Sequence, residues 1–207
     1  MRATLWNLIA HCFVIALCSA PAVSFAQPNA SAAEFSELVK SLLVPLDTKP
    51  ASPSWNLGNH PAVRWKSATP QRADAALAKE GLPMARTGVV TITVAGKVTH
   101  RHSANRAGHW NIVLAGSPAS SVESRLSMDK QADGGLDPTD ALKAAGFKVK
   151  ALCKPGGISS GTGLYAVEAA GYRPVVMAHE WSSGSAGSWT SLTFAYTKQR
   201  AAKLRCE

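Results

Sequence analysis

The spacing of hydrophobic residues changes along the chain, and each change predicts an element. In "SAAEFSELVKSLL", Phe35, Leu38, Val39, Leu42 and Leu43 recur at i, i+3, i+4, i+7 and i+8, which places them on one face of an amphipathic helix. Ser31 followed by Glu34 forms a capping-box pair at its start, and Pro45 is expected to stop it. The next stretch, "DTKPASPSWNLGNHP", is rich in Pro, Ser, Gly and Asn and is a loop by composition. Trp55 and Trp65 predict that it drapes over the domain, because large rings gain most from burial. A second, short helix is expected between Thr69-Pro70 and Gly81, with proline just inside its start and glycine just beyond its end.

Past Gly81 the period shortens. "VVTITVAG" and "HWNIVLAG" are β-branched and apolar, and "SSVESRLSM" alternates Val122, Leu126 and Met128 with Glu123, Arg125 and Ser127; these are strands. The intervening "KVTHRHSANRAG" fits either a short strand or an exposed loop. In "GGLDP", Asp137 is placed to cap and Pro138 to open a short helix that ends at Gly146. "FKVKALCK" then alternates Phe147, Val149, Ala151 and Cys153 with Lys148, Lys150 and Lys154, so Cys153 is expected on the apolar side of a half-buried strand. "GLYAVEAA", "PVVMAHEW" and "SWTSLTFAY" are three further strands, and the short connections "GYR" and "SSGSAG" predict an antiparallel meander in the C-terminal half.

The pattern therefore predicts an α+β protein, mostly antiparallel β-sheet, with an N-terminal amphipathic helix and two short helices. Both halves run from a short helix through a glycine into strands, and "ADAALAKEGL" looks like "TDALKAAGF". One reading is a duplicated α-plus-four-strand unit with halves at 69–135 and 136–207; the other is chance similarity between alanine-rich helices.

The first 26 residues carry a different signal. Arg2 precedes an apolar centre from Cys12 to Leu17, and small residues end in Ser24-Phe25-Ala26, the layout of a signal peptide cut after Ala26. Asn7 and His11 interrupt the apolar run, which is too short to span a bilayer, so no transmembrane segment is expected after cleavage. The expected organisation is a signal peptide at 1–26, a helix and Pro/Ser/Gly-rich loop at 27–68, and an α+β domain at 69–207, located in the periplasm or outside the cell. Cleavage removes Cys12 and Cys18 and leaves Cys153 and Cys206, two cysteines in an oxidising compartment that are expected to form one disulfide.

The formal net charge of the 207-residue chain is +9, and the signal accounts only for Arg2. A basic protein of this kind suits an acidic protein partner or an anionic component of the cell envelope. Nucleic acid is not an expected partner, because the chain is exported and lacks a nucleic-acid motif.

Three constellations bear on chemistry. Gly157-Ile158-Ser159-Ser160-Gly161 matches the G-x-S-x-G spacing of a nucleophile elbow, and Glu168 and His179 follow in the order of a catalytic triad. An elbow needs a helix after the serine, yet "TGLYAVEAAGY" is β-forming, so this stretch is predicted to be a hairpin connection. His100 and His102 are two apart, which on a strand puts both rings on one side, and His109 follows across a turn; these are the weak candidates for zinc or copper ligands. No Asp or Glu lies between Glu80 and Glu123 to orient the rings, as the imidazole ligands of a metal usually require, and Arg101 and Arg106 repel a cation. No metal or other cofactor is therefore expected. The same stretch is the leading binding candidate: His100, Arg101, His102, Arg106 and His109 together offer a dock for a carboxylate or phosphate. His179 shares a face with Met177 and Trp181 and is expected to be a hydrogen-bonded core or rim residue. Asp137 and Asp140 are explained by helix capping.

The expected function is that of an exported periplasmic binding protein that engages another protein as inhibitor, immunity or envelope accessory protein, without catalysis. The alternatives are an envelope enzyme, using Ser159 or a histidine-bound metal, and a metal- or ligand-binding module without turnover.

Overall fold

Among the residues that the structure describes, long runs of alternating, β-branched residues zip into a nine-stranded antiparallel sheet. A computed structural model describes residues 30–48, 55–95, 105–129, 138–157, 159–184 and 187–207. In chain order the elements are α1 (Ala30–Leu42), β1 (Val63–Trp65), β2 (Gln71–Arg72), α2 (Ala75–Lys79), β3 (Met84–Ala95), β4 (Asn105–Gly116), β5 (Ser121–Asp129), α3 (Pro138–Ala144), β6 (Lys148–Cys153), β7 (Ser160–Glu168), β8 (Val175–Gly184), β9 (Gly187–Ala195) and α4 (Lys198–Ala201). The strands lie in the order β1-β3-β4-β5-β9-β8-β7-β6, with β2 also pairing to β3. The α+β class and the C-terminal meander are as the periodicity predicts.

Two meanders, β3-β4-β5 and β6-β7-β8-β9, meet where β5 pairs with β9. Counted outward from that seam, α3-β6-β7-β8-β9 is mirrored in order by α1-β1-β3-β4-β5. The local similarity had paired α2 with α3, but by strand order α2 lies between β1 and β3 and the helix corresponding to α3 is α1. These two helices also touch each other.

The predicted face of α1 is the one that packs. Phe35, Leu38, Val39, Leu42 and Leu43 are at most 1% exposed and join Val90, Trp110, Ile112, Leu126, Leu192 and Phe194 of the sheet, with Leu142 of α3, in one core. Burying each such side chain stabilises by roughly 1.5–3 kcal/mol, so the helix is held by this face rather than by its propensity. Phe35 and Trp110 meet with ring centroids 5.8 Å apart. At the end of α1 the Tyr196 hydroxyl donates to the carbonyl of Leu42 at 2.6 Å, satisfying one of the acceptors that every helix C-terminus leaves open.

Trp55 and Trp65 lie partly buried against this core, as the draping loop predicts. Arg86 pins them: its guanidinium lies 4.3 Å from the centroid of the Trp65 ring and donates to the carbonyls of Ser67 and Trp55, each at 3.1 Å. Gly88 makes room beneath, since a Cβ there would stand 2.9 Å from the Arg64 carbonyl oxygen.

Two local expectations are corrected. The second helix does not start at Thr69-Pro70: Gln71 and Arg72 pair with Ala85 and Met84, and α2 begins after Asp74, whose carboxylate accepts from the Leu77 amide at 2.9 Å. The cap oxygen, which Thr69-Pro70 does not supply at that position, decides the start; Gly81, at φ +82°, closes the helix as predicted. The alternation in "FKVKALCK" also breaks. The register shifts between Ala151 and Cys153, Leu152 bulges out 52% exposed, and Cys153 pairs with Leu164. A bulge of one residue flips every side chain beyond it, so Cys153 lies on the face away from α1 and α3, not on the core side with Val149.

Candidate binding face

Residues paired across an antiparallel sheet point to the same side, so the face opposite α1 and α3 can be read row by row. Ala85, Ala115, Glu123, Ala195 and Val176 form one row. The next holds Thr87, Val113, Arg125, Thr193, Ala178 and Leu164, and the one after it Val89, Asn111, Ser127, Ser191, Glu180 and Thr162. Beyond these, Trp189 pairs with Asp129 and Ser182. The first row is covered: Leu77, in the middle of α2, and Leu82, just beyond it, pack on Ala85 and Ala115. The second row is partly covered, with Ala178 buried and Val113 packed beside Ala115, and the third is open. Val89 is 38% and Trp189 36% exposed, amid small hydroxyl and amide side chains.

Between the covered and open rows lies a closed ring of charges. Glu123, fully buried, accepts from Arg125 Nε at 2.6 Å through Oε1 and from Arg200 Nε through Oε2. Glu80 completes the ring, its Oε2 accepting from Arg125 Nη2 and Arg200 Nη2, each at 2.5 Å. Two carboxylates and two guanidiniums balance in charge, which is how buried ions are tolerated. The local elements explain the meeting: Glu80 is the C-cap of α2, Glu123 and Arg125 sit two apart on β5, and α4 brings Arg200, its start capped by Thr197 accepting from the Arg200 amide at 3.1 Å.

Burial pushes the Glu80 carboxyl up, but hydrogen bonds from Arg125 and Arg200 outweigh it and hold its pKa below the ordinary 4.5. Arg125 is also partly desolvated, which disfavours its charge, yet hydrogen bonding to Glu80 and the charge of Glu123 raise its pKa. A carboxylate whose pKa is depressed on folding contributes stability that is complete above its unfolded pKa and lost as pH falls through the folded value. Thermal melts between pH 7 and pH 3 are therefore expected to show a steeper acid loss for the wild type than for Glu80→Gln, which is less stable at neutral pH but lacks this titration. Parallel curves below about pH 4.3, the ordinary range for a glutamate, would show that Glu80 is not held by the ring.

The ring floors one side of an open cleft of about 570 Å³, walled by Lys79 at the end of α2 and by Lys203, Arg205 and Glu207 after α4, with Glu180 on the sheet. The C-terminal wall is fixed in three ways: by Arg200, by paired backbone bonds between Glu207 and Thr162 at 2.9 and 3.2 Å, and by Cys153 and Cys206, whose sulfurs are at disulfide distance with Cα atoms 6.4 Å apart.

Of the predicted binding residues, His100, Arg101 and His102 lie outside the described residues. Arg106 and His109 fall in β4, their backbones opposite Val94 and Thr91. Among the described residues no cluster of three His, Cys, Asp or Glu is arranged to hold a metal ion. Ser159 leads directly into β7, without the helix that an elbow requires. Glu168 pairs with Lys148 and His179 with Gly163, five positions back along β7 from Glu168, so at about 3.3 Å per residue they stand far apart. His179 Nε2 lies 3.1 Å from Thr190 Oγ1 on the core side, the rim position expected of it. Trp110 is buried, whereas Trp189 is exposed. No family model, curated protein or solved structure matches the chain.

Proposed function

We propose that the chain is an exported protein of the periplasm or exterior that works by holding another protein against the open part of the sheet face opposite α1 and α3, as an inhibitor, immunity or envelope accessory protein, and not by catalysis. The observation that carries this reading is the open row from Val89 to Thr162, with Trp189 at its margin. An exposed tryptophan beside small hydrogen-bonding side chains is the composition of a binding surface, where aromatic anchors supply most of the energy and polar neighbours the fit. Export is supported by the signal-like first 26 residues and by the cysteine pair; among the described residues no helix is long and apolar enough to cross a membrane. The absence of a helix after Ser159 favours binding over hydrolysis.

The test is photo-crosslinking from chosen positions in the cells that make the protein. A photoreactive residue at Trp189 or Val89 is expected to give the same protein adduct, and one at the exposed Glu37 of α1 none. Adducts from position 37 alone, or none from 89 and 189, would sink the proposal.

A further inference from the structure

We infer that the cleft beside the open row selects a partner segment carrying both acidic and basic side chains, so that its ligand is a mixed-charge protein surface and not a uniform polyanion. This rests on the binding reading above and names what the cleft contributes to it. Arg125 and Arg200 are already neutralised by Glu80 and Glu123, so they do not count towards the field that a ligand meets. What remains is Lys79, Lys203 and Arg205 on the two walls, against Glu180 on the floor and Glu207 at the rim. None of these five forms a salt bridge among the described residues; Lys203 Nζ and Arg205 Nη1 reach only backbone carbonyls, of Glu80 and Ala202, each at 3.4 Å.

Complementarity decides the class of ligand. Like charges brought face to face at an interface cost several kcal/mol and so exclude wrong partners. A phosphate-dense membrane, an acidic glycan or a nucleic acid would bring anions onto Glu180 and Glu207 as well as onto the three cations. A folded protein can set carboxylates against Lys79, Lys203 and Arg205 and a Lys or Arg against Glu180. The adjoining open row sets hydroxyls and an amide around Glu180, with Trp189 and Val89 exposed, which also suits a protein surface and adds no cation for a polyanion to bind.

Charge reversal on both sides of the cleft separates the classes. With the photoreactive residue at position 189, K203E/R205E is expected to lower adduct yield about tenfold, and E180K to lower it as well, because it removes the partner of a basic group. Far-ultraviolet circular dichroism and melting should match the wild type, since none of the three residues belongs to the ring or the core. A polyanion ligand predicts the opposite sign for E180K: higher yield, and stronger retention on heparin or on phosphatidylglycerol vesicles. That result would overturn the inference. Unchanged yield in both variants would overturn it too while leaving the binding face standing, and loss of any adduct in the wild type would remove both.

Discussion

Glu123→Ala is expected to lower the free energy of unfolding by about 3 kcal/mol or more, the range found when one partner of a buried ion pair is removed. The reason lies in what is left behind. Arg200 is only 7% exposed and Glu123 fully buried, so the truncation strands a guanidinium where water cannot solvate it well. Glu80 remains to accept from Arg200, which limits the damage and places the effect towards the lower end of about 3–5 kcal/mol. Arg125→Ala leaves Glu123 still paired with Arg200 and removes a side chain that is 27% exposed, so it should cost less. Replacing both buried partners, as in Glu123→Leu with Arg200→Met, is expected to recover most of the loss, because no buried charge then lacks a counterion. Urea unfolding midpoints measure all three. A loss below about 1 kcal/mol for Glu123→Ala, the value of an exposed pair, would mean that water reaches the ring and that it does not fasten α4 to the sheet.

This ring is also where the sequence was least legible. The alternation in "SSVESRLSM" assigns Glu123 and Arg125 to the side away from the core, and that is correct; what it does not reveal is that α2 and α4 cover that side. Their partners lie far along the chain, Glu80 45 positions from Arg125 and Arg200 77 from Glu123, beyond any periodicity. Val122, expected on the core side, instead packs with Leu77 and Leu82 on the opposite face, because the register shifts at Ala115 and Gly116. The one local clue was two opposite charges at i and i+2 on a strand, which share a face. By contrast α1 and the seven long strands were legible, since each repeats its period often enough to declare it. β1, β2 and α4, at three, two and four residues, are too short to show a period and exist because longer neighbours offer them hydrogen bonds. The bulge at Leu152 was hidden for a related reason: alternation by itself cannot show where a partner strand skips a residue.

That bulge gives the disulfide its mechanical meaning and leads to the second large effect. Cys153→Ser with Cys206→Ser is expected to cost about 4 kcal/mol, the loop-closure entropy that the chain-entropy model gives for a cross-link spanning 53 residues. Had the alternation continued unbroken, Cys153 would face the core and could not meet Cys206, which lies with the C-terminal segment on the other face. The shift turns it there, so the bond ties the edge strand β6 to the stretch carrying Lys203 and Arg205. Two consequences should be separable. Globally, oxidised protein should unfold at a higher denaturant concentration than reduced protein; coincident midpoints would rule out a stabilising cross-link. Locally, the ring still holds Arg200 and the Glu207 and Thr162 backbones still pair after reduction, so the segment should loosen without leaving. Amide exchange is expected to accelerate at residues 203–207 while β5 and β9 keep their protection. If the cleft wall contributes to partner capture, crosslinking from position 189 should fall in the serine variant under conditions where the sheet stays folded, because Lys203 and Arg205 are then held at the cleft by fewer constraints and ordering them opposes binding.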